Sequence, residues 1–373
     1  MPDVSPFHLD LTENEIEALQ QTFGDILRSG QLILNKHTEQ FEREFADMAG
    51  VQHAVAVSTG TSALQMLLMA HSADGKPVAV PTNTNFASVA AILAAGGHPV
   101  LLDMDPRTFA PSLQMLEESY QRDKIAGVVW VHIGGLISPE FGAVSEFCRT
   151  RKLFLIEDAA HAHGSMFNGT SAGAFGDGGA FSFFPTKVMT TMEGGMVTTH
   201  NSDIADLARS YRNQGKGAAK FGSDHLHLGS SWRLSELAAA IGVVQLRKLD
   251  SMIARRAKAA DAMARTLDDI QVQYCPYQHM DRASQYKLIV RYSHGVPCDE
   301  IKARLRSHGV IAGGGVYERP CHVQPAFADI TVPKDGFPVA DALCPKHVCP
   351  PLTSGMTDDD IACVCEALKA VLG

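Results

Sequence analysis

The chain has 373 residues, 45% of them apolar and 20% charged, with a formal net charge of −9. That length and apolar content suffice for one large domain and a smaller one sharing an interface. The acidic balance speaks against a nucleic-acid partner, which calls for a basic face. The eight cysteines, at 148, 275, 298, 321, 344, 349, 363 and 365, have no paired C-x-x-C spacing of the kind that holds zinc, so free thiols in a reducing compartment are expected.

The opening Met1 to Pro6 has no basic segment running into an apolar core, which predicts neither a signal peptide nor an anchor and makes the cytoplasm the expected location. A first helix is expected from Glu13 to Leu27. His53 to Val57 reads as a short strand, and Ser58-Thr-Gly-Thr-Ser-Ala63 turns from it into a helix carrying Leu64, Leu67 and Leu68. The first turn of such a helix offers unpaired N–H groups, the positive end of the dipole and the hydroxyls of Thr61 and Ser62, which together make an anion site. The plainer alternative is an N-cap built on Ser58 or Thr59. No G-x-G-x-x-G follows a strand, and Gly215-Lys216 lacks the upstream glycine of a P-loop.

Strand-like runs at Pro77–Val80, Pro99–Leu102, Gly127–Val131 and Leu153–Ile156 alternate with helical stretches near 86–96, 111–120 and 139–149. This alternation predicts a mainly parallel sheet covered on both faces, an α/β fold. The stretch from Phe86 to Gly96 is too short and alanine-rich to span a bilayer, so no membrane partner is expected. Phe154-Leu-Ile-Glu-Asp158 then delivers Asp158 to the carboxyl-end crevice where open α/β sheets bind ligands. Beyond it the pattern changes to glycine-rich, hairpin-like pieces, Gly173–Phe184 and Gly194–Thr199. Lys187 stands on the turn after Phe181, Ser182 and Phe183, among apolar residues that desolvate an amine and lower its pKa.

Taken singly, Asp158 reads as a turn cap and Lys187 as a surface lysine. Together they point to pyridoxal 5'-phosphate, because the acid can keep a pyridine nitrogen protonated and the amine can form a Schiff base. Helices near 202–212 and 250–267, a strand over Gln285–Val290, a helix from Cys298 to His308 and a last helix from Thr357 to Leu372 complete the chain. A large cofactor-binding domain is therefore expected over residues 1–250, including the N-terminal arm, and a small α+β domain over 251–373. His161-Ala-His163 and His225-Leu-His227 each put two imidazoles on one strand face, but no carboxylate or cysteine stands at ligand spacing, so no metal is expected.

Gly60-Thr-Ser-Ala, Glu157-Asp-Ala-Ala, Phe181-Ser-Phe-Phe-Pro-Thr-Lys and Glu193-Gly-Gly, in this order, resemble the DegT/DnrJ/StrS family of pyridoxal-phosphate-dependent sugar aminotransferases. The likeness runs from Glu13–Leu27 and Phe41-Glu-Arg-Glu-Phe45, through Trp232-Arg-Leu-Ser-Glu236, to Tyr317 and His322-Val-Gln-Pro-Ala-Phe327. It implies the aspartate aminotransferase-like architecture known as fold type I. It also implies Lys187 as the Schiff-base lysine and proton carrier, Asp158 on the pyridinium nitrogen, and Gly60, Thr61, Ser62 and Ser182 around the phosphate.

Several positions depart from the family pattern. His161 stands where many relatives have a glutamine near the cofactor's phenolic oxygen. Asn85 stands where relatives often stack an aromatic ring, and Phe86 is expected to point the other way in an extended segment. Ser231 takes the place of an asparagine that reaches the partner subunit's phosphate, and Asn35-Lys36 replaces a Gly-Pro near the sugar. Tyr317, His322 and Arg233 are implied substrate contacts, with a surface ion pair the competing role for Arg233. The resemblance implies ping-pong transfer of an amino group from L-glutamate to a keto-sugar, most often nucleotide-linked, by a homodimer with sites built from both chains.

Lys187 itself speaks against the sugar 3-dehydratases, which look similar but carry a histidine there. An aminotransferase acting on a cyclitol ketone, an aminobenzoate-type synthase and a catalytically silent regulatory protein of the same fold remain as alternatives. The presence of both Asp158 and Lys187 weighs against the last. The identity of the sugar lies with loops such as 35–38, 83–85 and 313–322, whose shape composition does not give.

Overall fold

The computed structural model describes residues 3–217, 224–292, 295–313 and 315–373. Two helices open the chain, α1 (Glu13–Ser29) and α2 (Lys36–Ala49), each closed by a glycine, Gly30 and Gly50, in the left-handed region that suits a residue without a Cβ. Five-residue strands then alternate with helices: β1 (His53–Val57), α3 (Gly60–Ala70), β2 (Pro77–Pro81), α4 (Phe86–Ala94), β3 (His98–Leu102), α5 (Leu113–Asp123), β4 (Gly127–Val131), α6 (Phe141–Arg151) and β5 (Phe154–Asp158). A short hairpin, β6 (Met166–Phe167) and β7 (Thr170–Ser171), leads to β8 (Gly178–Ser182) and β9 (Gly195–Thr199). Helices α7 (Ser202–Arg212), α8 (Glu236–Arg247) and α9 (Leu249–Asp269) follow. The remainder builds β10 (Gln273–Tyr274), β11 (Val290–Arg291), α10 (Cys298–Ser307), α11 (Pro338–Leu343), β12 (His347–Val348) and α12 (Asp358–Leu372).

Seven strands form one sheet in the order β1-β9-β8-β5-β4-β2-β3. Pairing is parallel from β3 through β8, and β9 runs against both its neighbours, so β1 points the same way as the majority. Every residue of β4 and β5 is buried, which is why these strands read as continuous apolar runs and not as alternating ones. The carboxyl ends of β1, β2, β4, β5 and β8 consequently share one edge, where such sheets bind ligands.

A second, antiparallel sheet of order β10-β11-β12 lies beyond α9, with α9 and α10 packed beside it and α12 packed on those two helices. One apolar cluster runs from Val55 on the large sheet and Leu67 on α3 to Leu305, Val364 and Leu368. The expected boundary near 250 falls at the start of α9. Val4, in the arm expected with the first domain, instead pairs with the second half: its N–H donates to Gly309 O at 2.8 Å, and its carbonyl accepts from Ile311 N–H at 3.0 Å. Among the described residues no helix is long and apolar enough to cross a membrane.

The strand expected over Gln285–Val290 does not form, and only Val290 and Arg291 join a ladder. Gln285 has a φ of 52°, which interrupts an extended chain. The neighbouring polar groups bond elsewhere: Ser284 N–H to Ser165 Oγ at 3.0 Å, Ser284 Oγ to His161 O at 2.7 Å, and Lys287 N–H to Gly134 O at 3.2 Å. The segment is thereby drawn against the carboxyl end of the large sheet. Gly135 permits this approach, since its φ is 90° and a Cβ there would stand 2.1 Å from Ser284 Oγ.

Candidate active site

A cavity of about 400 Å³ opens at the carboxyl edge of the sheet, lined by Gly60, Thr61, Asn85, Asp158, His161, Ser182, Lys187 and Tyr317 among others. Each strand end contributes: β1 leads to Gly60, β2 to Asn85, β5 to Asp158, and β8 to Ser182 and the Lys187 turn. A larger groove of about 580 Å³ beside α7 is lined by surface carboxylates and arginines and lacks this combination of groups.

Asp158 is the last residue of β5. Its Oδ2 accepts the Ser88 hydroxyl at 2.7 Å and its Oδ1 the Ala160 N–H at 3.2 Å. Burial pushes its pKa above the usual carboxylate range, opposed by these two donors and by Lys187. Burial draws the Lys187 amine down to about 8, while Asp158 pulls it up and Lys287 adds to the lowering. The Lys187 turn is tightened by its own N–H, which donates to Phe184 O at 3.0 Å.

His161 accepts the Gly134 N–H on Nδ1 at 3.3 Å, which places its proton on Nε2, 3.2 Å from the Tyr317 hydroxyl. Burial, together with Lys187 and Lys287, holds its pKa well below the ordinary value, so the ring is neutral. Its face stacks on Tyr286, with centroids 4.2 Å apart and planes 24° apart. Tyr317 has a φ of 63°, a strained conformation for a bulky side chain. Its pKa is raised chiefly by burial and also by the Asp158 carboxylate, while a hydrogen bond to Asn85 acts the other way.

Asn85 caps α4, its Oδ1 accepting Ala87 N–H at 2.9 Å. Phe86 does turn away from the cavity, stacking on Phe327 at 4.9 Å, but because a helix starts there and not because the segment is extended. At the head of α3, Thr59 and Ser62 form a capping box: Thr59 Oγ1 accepts Ser62 N–H at 3.0 Å and Ser62 Oγ accepts Thr59 N–H at 3.1 Å, while the Ser62 hydroxyl donates to Thr59 O at 2.8 Å. The Ser62 hydroxyl is thus committed within the turn, while Gly60, Thr61 and Ser182 line the cavity. Among the described residues the N–H groups of Gly60 and Thr61 have no protein acceptor.

The other expected contacts lie outside. Arg233 bonds Asn213 Oδ1 at 2.9 Å and also bonds Ser231 Oγ, and neither Arg233 nor Ser231 lines the cavity. His322 uses both ring nitrogens, Nδ1 on Thr82 Oγ1 at 2.7 Å and Nε2 on Asp341 Oδ1 at 2.9 Å. Among the described residues no group of three or more His, Cys, Asp or Glu is placed to hold a metal ion, and all eight cysteines are free.

Sequence reasoning missed Ser88 and Tyr286, and it saw Glu157 only as part of a motif. Glu157 accepts from His132 Nε2 at 2.8 Å and from the N–H groups of Gly173, Phe175 and Gly176 at 2.8, 2.7 and 2.9 Å, clamping that loop beside β5. A buried acid at the penultimate position of an apolar strand was the available signal, since burial demands partners.

The sequence profile of the DegT/DnrJ/EryC1/StrS aminotransferase family matches residues 13–369. GDP-perosamine synthase of Caulobacter vibrioides is 33% identical over 338 residues, covering 89% of each chain. The dTDP-3-amino-3,6-dideoxy-alpha-D-galactopyranose transaminase of Aneurinibacillus thermoaerophilus is 30% identical over 358 residues, covering 94% of each. Among solved structures, S. venezuelae DesV in complex with a ketimine intermediate superposes with a TM-score of 0.91 at 28% identity, covering 99% of this chain and 98% of that one.

Proposed function

Since this chain belongs to the DegT/DnrJ/EryC1/StrS aminotransferase family and is a sugar aminotransferase, we propose that it uses pyridoxal 5'-phosphate to move an amino group from L-glutamate to a nucleotide-linked keto-sugar. The observation that carries this reading is the meeting of Asp158, Lys187 and the open head of α3 around one cavity. The residues fit the cofactor. Unbonded N–H groups at Gly60 and Thr61 suit a phosphate, and Gly60 lets the head of α3 approach Ser182 closely, since a Cβ there would stand 2.8 Å from Ser182 Cβ.

When bound, the cofactor supplies an aldehyde that condenses with amines and a ring that withdraws electrons from the neighbouring carbon. Gly60, Thr61 and Ser182 would hold its phosphate, Asp158 its ring nitrogen, and His161 its phenolic oxygen through Nε2–H, with Asn85 beside the ring. Asp158, oriented by Ser88, gains there the proton partner that its burial calls for. A neutral His161 donates a hydrogen bond without placing a second cation next to Lys187. With a pKa of about 8, Lys187 has an appreciable neutral fraction at neutral pH, so its Nζ could accept the proton that leaves the donor's α-carbon and hold it for return to the cofactor's aldehyde carbon.

A homodimer is part of the same proposal. Leu226 and Leu228, 66% and 92% exposed, precede Ser231 on one stretch of chain, and a second copy covering them would bring Ser231 to its neighbour's phosphate site. The test is the visible spectrum of the protein with added pyridoxal phosphate, before and after L-glutamate, with Lys187→Ala as control. An absorption band that glutamate converts in the wild type alone supports the reading. A band that glutamate leaves unmoved points to another donor, and no band in the wild type rejects the cofactor.

A further inference from the structure

We infer that Tyr286 is a positioning residue for amino transfer, its ring forming the common platform that holds the Lys187 amine and the His161 imidazole relative to each other. This deepens the function proposed above and rests on the roles given there to Lys187 and His161. The side chain comes from a part of the chain remote in sequence from both. It is placed by the segment that fails to become a strand, through the bonds of Ser284 and Lys287 to the large sheet's loops.

Four contacts converge on Tyr286, which is 8% exposed, and one of them is a second ammonium, Lys287 Nζ at 5.5 Å from the ring centroid. The Lys187 Nζ lies 5.1 Å from the ring centroid, within cation–π range. The His161 ring is stacked at 4.2 Å. The hydroxyl stands 3.4 Å from Thr186 Oγ1, on the residue before the lysine. The remaining groups around Lys187 are Asp158, His161, His163, Lys287, Glu193 and Tyr317.

The chemistry favours an aromatic ring at this point over an acid. A lysine that shuttles a proton must be stable when charged and still free to give the proton up. A second carboxylate would hold the ammonium and raise its pKa further, so that the proton would be given up less readily, whereas a π face attracts the cation more weakly and offers no acceptor for the proton. The same ring keeps the His161 plane fixed while Gly134 fixes its tautomer, so Nε2–H keeps one direction.

The test begins with cofactor-free protein: the pH dependence of Lys187 labelling by trace acetic anhydride, quantified by mass spectrometry. Tyr286→Phe keeps the ring and is expected to keep the wild-type midpoint and the wild-type His161 ring signals in NMR. Tyr286→Leu is expected to lower the midpoint by about half a pH unit, the scale of one cation–π contact. Should the leucine variant fail to fold, pentafluorophenylalanine at position 286 keeps an aromatic ring while reversing its electrostatics, and a fall at least as large is expected. In the loaded enzyme Tyr286→Leu is expected to lower kcat on the order of fivefold with the KM for the amino donor little changed.

An unchanged midpoint in the fluorinated variant overturns the inference. So does an equal fall in Tyr286→Phe, which would assign the effect to the hydroxyl and Thr186. The labelling midpoint needs no cofactor, so a failed cofactor assignment shows separately, as a wild type without an absorption band.

Discussion

Burial draws the Lys187 ammonium down while the Asp158 carboxylate pulls it up, and a resting point of about 8 shows that burial outweighs the acid. Lys287 acts in the same direction as burial, and among the described residues it has no ion-pair partner. Lys287→Met is therefore expected to move the Lys187 labelling midpoint upward, and a downward move would contradict the placement. The linkage has a definite sign. Because the folded pKa is lowered from 10.5, the unfolded chain binds more protons between about 8 and 10.5, and stability contributed by this group rises with pH across that window. Below about 8 the penalty for the charged amine is fully present. Urea unfolding of the cofactor-free protein should accordingly show Lys187→Met more stable than wild type at pH 7, with the gap closing by pH 10.5. Ser88→Ala removes one of two donors from Asp158, a charge-assisted bond of about 2 kcal/mol, so equilibrium titration should show cofactor affinity falling on the order of tenfold. Lys187 and Asp158 were visible in the sequence because each ends an apolar run. Ser88 and Tyr286 were not, since their roles depend on which distant residue they meet.

The head of α3 shows how one element serves both its own stability and a ligand. Thr59 and Ser62 satisfy each other, a capping box typically worth about 1 kcal/mol to the helix. That arrangement leaves Gly60 and Thr61 to face the cavity. Gly60→Ala would bring a Cβ to 2.8 Å from Ser182 Cβ and 3.3 Å from Phe181 O, and the backbone oxygen yields less readily than a side chain. Overpacking of this kind typically costs about 1–3 kcal/mol. Displacement of the α3 turn is expected to weaken cofactor binding at least tenfold with the circular dichroism spectrum preserved, and binding at wild-type strength would rule out α3 as the phosphate site. The helices and buried strands of the large sheet were legible from caps and apolar runs. The segment around Tyr286 misled because its apolar residues pack against two different layers, and an apolar run does not distinguish a ladder from a seam.

At the scale of the whole molecule, a mainly parallel sheet gathers the carboxyl ends of six strands at one edge, and the second half of the chain closes over that edge with Tyr317 on the cavity and Tyr286 beside Lys187 and His161. In the homodimer proposed above, exposed Leu226 and Leu228 would be covered by the second copy. Light scattering is expected to give a mass of two chains. Leu226→Asp combined with Leu228→Asp should yield monomers of much reduced turnover, and a fully active monomer would end the composite-site proposal. The sequence by itself determined the α/β architecture and the family, and it singled out the acid and lysine proposed to act together, because these rest on local signals: an apolar strand, a turn, a helix cap. Only the tertiary structure decided that Tyr317 enters the cavity while His322 and Arg233 are bonded outside it, that the Ser62 hydroxyl is spent on a cap, and that Tyr286 underlies the lysine. Those outcomes depend on hydrogen bonds and packing between residues far apart in the chain, where each polar group takes the partner the fold brings within reach.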